Sequence, residues 1–291
     1  MSATALALIL LAAVAHATWN LFSKQASAAG ASSFVWLMSA VATAVYAPVV
    51  ALSLLLSPPR LTPLDWVFMA GTGLLQAGYF LFLQAGYRLG DLSLVYPVGR
   101  GSGALLAALA GITLLGERPG PAGIAGIALV VLGVLALGAP VRAGRPVTSP
   151  ATPRAIVFAL VTGAFIASYT LWDKYAVSTL KVPPLIQGYA SLPVMALVLA
   201  PFALREMRRT TLVWHAYRRQ VAGAALLSPL AYILVLVAMS FTAVSAVAPA
   251  REVSVLAGVL LGRTMLGEEG LARRLTAAGA IAAGIICIAV G

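Results

Sequence analysis

The sequence predicts an all-α, polytopic membrane protein whose ten transmembrane helices form two inverted five-helix repeats. Three observations predict it. Of 291 residues, 61% are hydrophobic and 9% are charged, and a soluble domain uses about a quarter of its residues as charges to keep a polar shell. The apolar stretches recur at lengths near the roughly 20 residues with which a helix spans a bilayer. The chain also resembles itself at about half its length. "HATWNLFSK", ending at Lys24, faces "IASYTLWDK", ending at Lys174, and "YPVGRGSGALLAALAGITLLGE" faces "APAREVSVLAGVLLGRTMLGE".

Charged and Pro/Gly-rich breaks divide the chain into spans at 3–23, 32–56, 66–87, 92–115, 120–139, 155–175, 184–204, 220–240, 244–262 and 272–290. The first lacks a basic segment before its apolar run, and "HATWNLFSK" is a poor cleavage site, so it reads as a helix and not a signal peptide. It carries His16, Trp19 and Asn20 on one face, at i, i+3 and i+4. The third holds Gln76, Tyr79 and Gln84, and the fourth holds Tyr96, Pro97 and Arg100. After the fifth, "APVRAGRPVTSPATPR" is a Pro- and Arg-rich linker. It sets the boundaries as a first repeat over 1–140, a linker over 141–153 and a second repeat over 154–291. The sixth span contains Tyr169 and Trp172, with Asp173 and Lys174 at its end, where a solvated or snorkelling pair is expected. A basic loop over 205–219 precedes the eighth, which holds Ser228 and Tyr232. The ninth holds Pro249, Arg251 and Glu252, and the tenth Cys287, the single cysteine.

Five crossings are an odd number, so a second copy of the unit enters the membrane upside down. Inverted repeats of this kind place a substrate site at their interface near the midplane. Arg100 is eight residues into the fourth span and Glu252 eight into the ninth, about 12 Å from the start of each at 1.5 Å per residue. The two positions are equivalent in the repeat. An unpaired charge at the membrane centre costs on the order of 3 kcal/mol, so pairing, a water-filled cavity or both are expected. Two readings stand side by side: a buried ion pair that only fixes register, and a substrate site. Burying a pair rarely adds net stability, which favours the second. Pro97 and Pro249 are either simple kinks or breaks that free a carbonyl beside a cavity. Gly99, Gly103, Gly123, Gly126, Gly279 and Gly284 suit close helix packing.

Net charge is +11, but the basic residues lie in loops, which argues for cytoplasmic loops and against nucleic acid. Odd-numbered loops carry 13 Lys or Arg against 4 in the even ones. That count puts the odd loops in the cytoplasm and both termini outside, in an inner membrane crossed many times. With one cysteine and two histidines, His16 and His215, neither a metal site nor a catalytic set is expected. The protein therefore reads as a non-enzyme without cofactor. A membrane-embedded enzyme or a receptor remains the rival class. Oligomerisation is not required.

The chain resembles the EamA branch of the drug/metabolite transporter superfamily. The resemblance rests on "HATWNLFSK", "GDLSLVYPVGRGSG", "AREVSVLAGVLLGRTMLGEE" and a Gly-Glu turn before each repeat's last helix, and it covers essentially the whole chain. It implies two inverted five-helix halves, a central cavity and alternating access. Members include amino-acid exporters, among them those for aromatic amino acids and threonine, as well as importers and drug efflux pumps. The exporters are expected to keep both termini in the cytoplasm, opposite to the charge count. The superfamily's small multidrug pumps carry a glutamate in the first helix, where this chain has only His16. Arg100, Arg251 and Glu252 sum to one positive charge, which suits an anionic or zwitterionic metabolite. An arginine grips a carboxylate with two hydrogen bonds, and Arg100 is the residue expected to do so. Trp19, Tyr79, Tyr96 and Trp172 are expected to line an apolar pocket, with His16, Asn20, Gln84, Tyr169 and Tyr232 as further candidates. Export of an amino acid across the inner membrane is the leading expectation, and a multidrug or other-metabolite transporter of the same fold the alternative.

Overall fold

The computed structural model describes residues 1–26, 31–89, 92–138, 153–254 and 271–290. Among them are ten helices: α1 Ala3–Gln25, α2 Ala31–Leu56, α3 Pro63–Leu89, α4 Leu92–Leu114, α5 Pro121–Gly138, α6 Pro153–Ser178, α7 Pro184–Arg205, α8 Met207–Phe241, α9 Val244–Ala250 and α10 Leu271–Val290. Four of them begin at a proline. Its fixed φ suits a first helical residue, and its missing N–H is one that a helix start leaves unbonded anyway. At the start of α3, Asp65 Oδ2 accepts from Thr62 N at 2.7 Å and from Thr62 Oγ1 at 2.9 Å, while Thr62 Oγ1 lies 3.4 Å from Asp65 N. This is a reciprocal cap on the first turn.

Among the described residues, six helices are long and apolar enough to cross a membrane: α1, α2, α3, α6, α7 and α8. Val98–Leu114, Pro121–Ala136 and Gly279–Ile288 are shorter apolar helices. Hydroxyls inside these segments bond back to their own helix. Ser39, Thr43, Thr162 and Thr170 each donate to the carbonyl four residues earlier, which leaves no bare polar group in an apolar setting. Large apolar side chains such as Leu55, Leu114 and Leu197 are exposed, as expected of faces solvated by lipid. The chain is a multi-pass membrane protein.

Two expected boundaries move. The 205–219 segment, read as a loop, is helical, because α8 starts at Met207 and runs through a break at Tyr217 (φ −128, ψ 23). Thr210 holds its first part: its hydroxyl reaches Ala203 O at 3.0 Å as donor and lies 2.9 Å from the Ser33 hydroxyl, which can donate to it. The charged pairs Arg205-Glu206 and Arg208-Arg209 hid a helix whose inner side, Thr210 and Val213, is buried. The sixth helix ends at Ser178 and not at 175, which changes the fate of Asp173. Of the expected span 244–262, residues 255–262 lie outside the described residues, as does the linker from 139 to 152.

The described chain forms two compact units, each drawing on both halves of the sequence: Met1–Ala7 with Gly78–Leu171 and Thr242–Gly291, and Leu8–Ala77 with Trp172–Phe241. In the first unit, Ala108 of α4, Ile127, Val130 and Val134 of α5 and Ile281, Ile285 and Ile288 of α10 form a core. There α5 and α10 touch backbone to backbone. A Cβ on Gly126 would lie 2.5 Å from Gly284 O, and one on Gly284 would lie 2.7 Å from Gly126 O. Around Gly279, where close packing was expected, there is open space among the described residues. In the second unit, glycines accept aromatic rings in a repeated way. A Cβ on Gly71 of α3 would meet the Trp172 ring of α6 at 2.6 Å, and one on Gly223 of α8 would run into the Phe22 ring of α1.

Candidate functional site

In the first unit, Arg100 and Glu252 meet. Arg100 Nε donates to Glu252 Oε2 at 3.0 Å, and Arg100 Nη2 lies 2.9 Å from Oε1. The second contact has the distance of an ion pair without hydrogen-bond alignment. Both side chains are almost wholly buried, 3% and 1% exposed. Arg251 is 5% exposed, and its Nε lies 3.9 Å from Glu252 Oε1. Its Nε and Nη2, like Ser254 Oγ, have no hydrogen-bond partner among the described residues. Arg251 and Ser254 are three residues apart on one helical turn, so two buried groups able to donate stand on the same side. In an interior of low dielectric, such orphaned donors favour an anionic guest.

Backbone geometry sets this cluster. Pro249 has no N–H to give, and beyond it the ladder tightens. Arg251 N still bonds Val247 O, but Glu252 N bonds Pro249 O at 2.9 Å and Ser254 N bonds Arg251 O at 3.2 Å, both three residues back. The regular helix thus stops where the charges sit. On the other side, Gly99 and Gly103 let α4 approach α6 closely. A Cβ on Gly99 would lie 3.2 Å from Ala159 O, and one on Gly103 would lie 2.8 Å from Ile166 Cβ. Arg100 therefore sits next to a face already committed to packing.

Glu117 fixes the start of α9. Its Oε1 accepts from Val244 N at 2.7 Å and its Oε2 from Ser245 N at 2.8 Å, so a carboxylate caps the positive end of the helix that carries the cluster. Gly116, at φ 68, provides the left-handed turn before it. A Cβ on Gly111 would come within 2.7 Å of Glu117 Oε2 and of Val244 Cγ1. The Gly-Glu turn noted in the sequence is therefore a cap, at least in its first copy. Glu268 lies outside the described residues.

The remaining predicted residues divide between the units. In the first, Tyr79 and Tyr169 are buried and meet edge to face with ring centroids 5.9 Å apart. The side chains of Tyr96 and Gln84 lie outside the described residues. In the second, Trp19 Nε1 donates to His16 Nδ1 at 3.0 Å, and Asn20 Nδ2 donates to His16 O at 2.8 Å. The three therefore bond within α1. Trp172 Nε1 donates to Phe68 O at 2.8 Å, and its ring stacks on Phe68 at 4.1 Å.

Asp173 was expected to be solvated, yet it is fully buried. Because α6 continues five residues past it, its carboxylate faces helices and not water. Thr72 Oγ1 of α3 lies 2.5 Å from Oδ1, Gln187 Nε2 of α7 donates to Oδ1 at 3.0 Å, and Tyr232 of α8 donates its hydroxyl to Oδ2. Lys174 turns away, giving Nζ to Met239 O at 2.9 Å. Thr72 and Gln187 were not singled out in the sequence, where a lone threonine inside an apolar span and a glutamine near a helix start carry no signal. Among the described residues, no group of three or more His, Cys, Asp or Glu side chains is placed to hold a metal ion.

The model of the EamA-like transporter family matches residues 3–139 and again residues 153–290. A solved structure described only as "Crystal structure of protein" superposes with a TM-score of 0.78 at 18% identity, over 100% of this chain and 98% of its own. At that identity the likeness speaks for the fold. No curated protein matches the sequence.

Proposed function

The chain belongs to the EamA-like transporter family, and from that premise we propose that it is a secondary transporter of a small anionic or zwitterionic metabolite, an amino acid foremost, exported across the inner membrane. The observation that carries the substrate class is Arg251, a buried guanidinium whose Nε and Nη2 have no hydrogen-bond partner among the described residues. Arg100 is already held by Glu252. The carboxylate-gripping role expected of Arg100 therefore passes to Arg251, assisted by Ser254, while Arg100 keeps Glu252 from neutralising its neighbour. The local sum of one positive charge disfavours a lipophilic cation.

The ten-span inverted repeat and alternating access belong to the same reading. They are supported by Arg100 and Glu252, each eight residues from its helix start. They are supported also by the mutual Gly126–Gly284 contact and by the parallel pairs Gly71–Trp172 and Gly223–Phe22, in which Trp172 and Phe22 align in the repeat. The boundaries 1–140 and 154–291 are those of the proposed repeats. For orientation, the loop charges favour outward termini, and a reporter fused after residue 291 that is active in the cytoplasm overturns that part.

The test is flux of labelled amino acids and organic acids into proteoliposomes. Saturable uptake is expected, and Arg251→Ala should lower it more than tenfold, since a charge-assisted hydrogen bond contributes about 1.5–3 kcal/mol. Arg251→Lys keeps the charge but loses the planar fork, and should fall between. Wild-type flux and apparent affinity in both variants sink the anionic-substrate reading. Absence of flux for any metabolite favours the receptor or enzyme class.

A further inference from the structure

Asp173 is the best-enclosed carboxylate of the second unit, and nothing in the substrate reading uses it. Four helices meet at it. Thr72 comes from α3, Gln187 from α7 and Tyr232 from α8, and the aspartate itself from α6. Of these bonded partners Tyr232 is titratable and Thr72 and Gln187 are neutral, while Lys174, next in the chain, gives Nζ to Met239 O. Asp65, elsewhere on α3, caps Thr62. We propose that Asp173 is a proton-binding site that loads and unloads during the transport cycle, a proposal that rests on the transporter reading only for the word cycle.

The argument is one of proton positions. Thr72 Oγ1 has one hydrogen and two acceptors in reach, Asp173 Oδ1 at 2.5 Å and Phe68 O at 3.0 Å. With Asp173 ionised, the threonine proton points at Oδ1. When a proton arrives on Oδ1, the direction reverses: Asp173 donates to Thr72 Oγ1, and Thr72 turns its own hydrogen to Phe68 O. One proton has been gained, one negative charge has gone, no heavy atom has moved, and no donor is left without an acceptor. Gln187 Nε2, 2.7 Å from Thr72 Oγ1 and 3.0 Å from Oδ1, keeps its contacts in both states. A buried acid that serves only as a strut is satisfied in one state alone, and the other carries the penalty of an orphaned polar group. Here both states are satisfied, which is what reversible protonation needs.

Two further features fit. Gln187 Oε1 is buried with no hydrogen-bond partner among the described residues, an acceptor free to receive a water or hydronium that brings the proton. Gln187 is three residues from the start of α7 and Asp173 five from the end of α6, about 5 and 8 Å along the helices at 1.5 Å per residue, so the route from the membrane face is short. The proton also has a consequence. The Tyr232 hydroxyl bonds an ionised oxygen more strongly than a neutral one, so loading loosens the tie between α6 and α8. In the repeat, Asp173 aligns with Ser23, so the device has no carboxylate counterpart in the other half.

The test is an infrared pH titration of the full-length protein in lipid, with the proton as probe and no transported substrate present, so its outcome stands apart from the flux assay. A protonated-carboxyl band is expected to grow as pH falls and to be lost in Asp173→Asn. Tyr232→Phe should displace its midpoint by about one pH unit, the worth of roughly one hydrogen bond to a charged group. Thermal unfolding checks that each variant is folded. If Asp173→Asn does not fold, Tyr232→Phe and Thr72→Val decide: a displaced midpoint supports the assignment, and an unmoved one overturns it. A band that survives in folded Asp173→Asn overturns it too, as does a signal that follows sodium at fixed pH.

Discussion

The two buried polar centres solve the same electrostatic problem in different ways. Around Glu252, full charges face each other: Arg100 pairs with the carboxylate and Arg251 stands at 3.9 Å. Around Asp173, the described hydrogen bonds come from a hydroxyl, an amide and a phenol. An ionic centre is all-or-none, because removing one partner strands the other in an apolar interior. A centre of neutral donors loses its support one bond at a time. Among the described residues the ionic centre also has donors without a partner, on Arg251 and Ser254, whereas the neutral one has an acceptor without a partner, Gln187 Oε1. Spare donors invite an anion, and a spare acceptor invites a proton carrier.

The largest expected effect breaks the ionic centre. Glu252→Gln leaves Arg100 and Arg251 without their negative neighbour and should cost about 3–5 kcal/mol, the range for breaking a buried pair. Thermal unfolding in detergent and the yield of folded protein measure it. Arg100→Met in the same chain should recover much of the loss. A Glu252→Gln protein as stable as wild type would show that the centre is already solvated and that the contrast with Asp173 is false.

Next comes the support beneath that centre. Glu117→Ala removes the cap from α9 and should cost about 1–2 kcal/mol, as for other N-cap truncations. Because the cap fixes where α9 begins, flux should fall further than stability. An effect on stability alone would make Glu117 a fold residue with no hold on the charges two turns away. Thr72→Val is the matching change in the neutral centre. It keeps volume and removes one donor, so a graded loss of about 1–2 kcal/mol is expected. A collapse as large as that of Glu252→Gln would mean that the hydroxyl, and not the set of three donors, holds Asp173.

The same contrast explains what could be read in advance. An arginine inside an apolar run is conspicuous, and a half-chain repeat pointed to its partner, so Arg100, Arg251 and Glu252 were legible without coordinates. Many helix ends among the described residues were legible for the same reason, since length and apolarity decide what lies in lipid. The Asp173 centre was hidden by an end misplaced by three residues. With α6 stopped at 175, Asp173 belongs to a solvated terminus; with α6 running to Ser178, it belongs to the interior. Its partners are common polar residues whose positions matter only once four helices are assembled. The helical start of α8 was masked by Arg208 and Arg209, because charge reads as loop until the buried side of Thr210 and Val213 is seen.

The smallest expected effect on stability is also the sharpest on meaning. Ser254 Oγ is buried and has no hydrogen-bond partner among the described residues. A hydroxyl in that state contributes no net bond, and its burial carries a desolvation cost. Ser254→Ala should therefore leave thermal unfolding unchanged or raise it slightly, by well under about 1 kcal/mol. If the hydroxyl serves the substrate, flux at low substrate concentration should nevertheless fall several-fold, the worth of about 1 kcal/mol of a lost hydrogen bond, with the loss in apparent affinity. Thr72→Val predicts the reverse order in the other centre, because Thr72 is bonded in the resting protein: stability falls whether or not substrate is present. A Ser254→Ala protein that loses stability but keeps its affinity would mean that the hydroxyl is engaged within the fold. The spare donors around Arg251 would then be a packing detail and not a place for a guest.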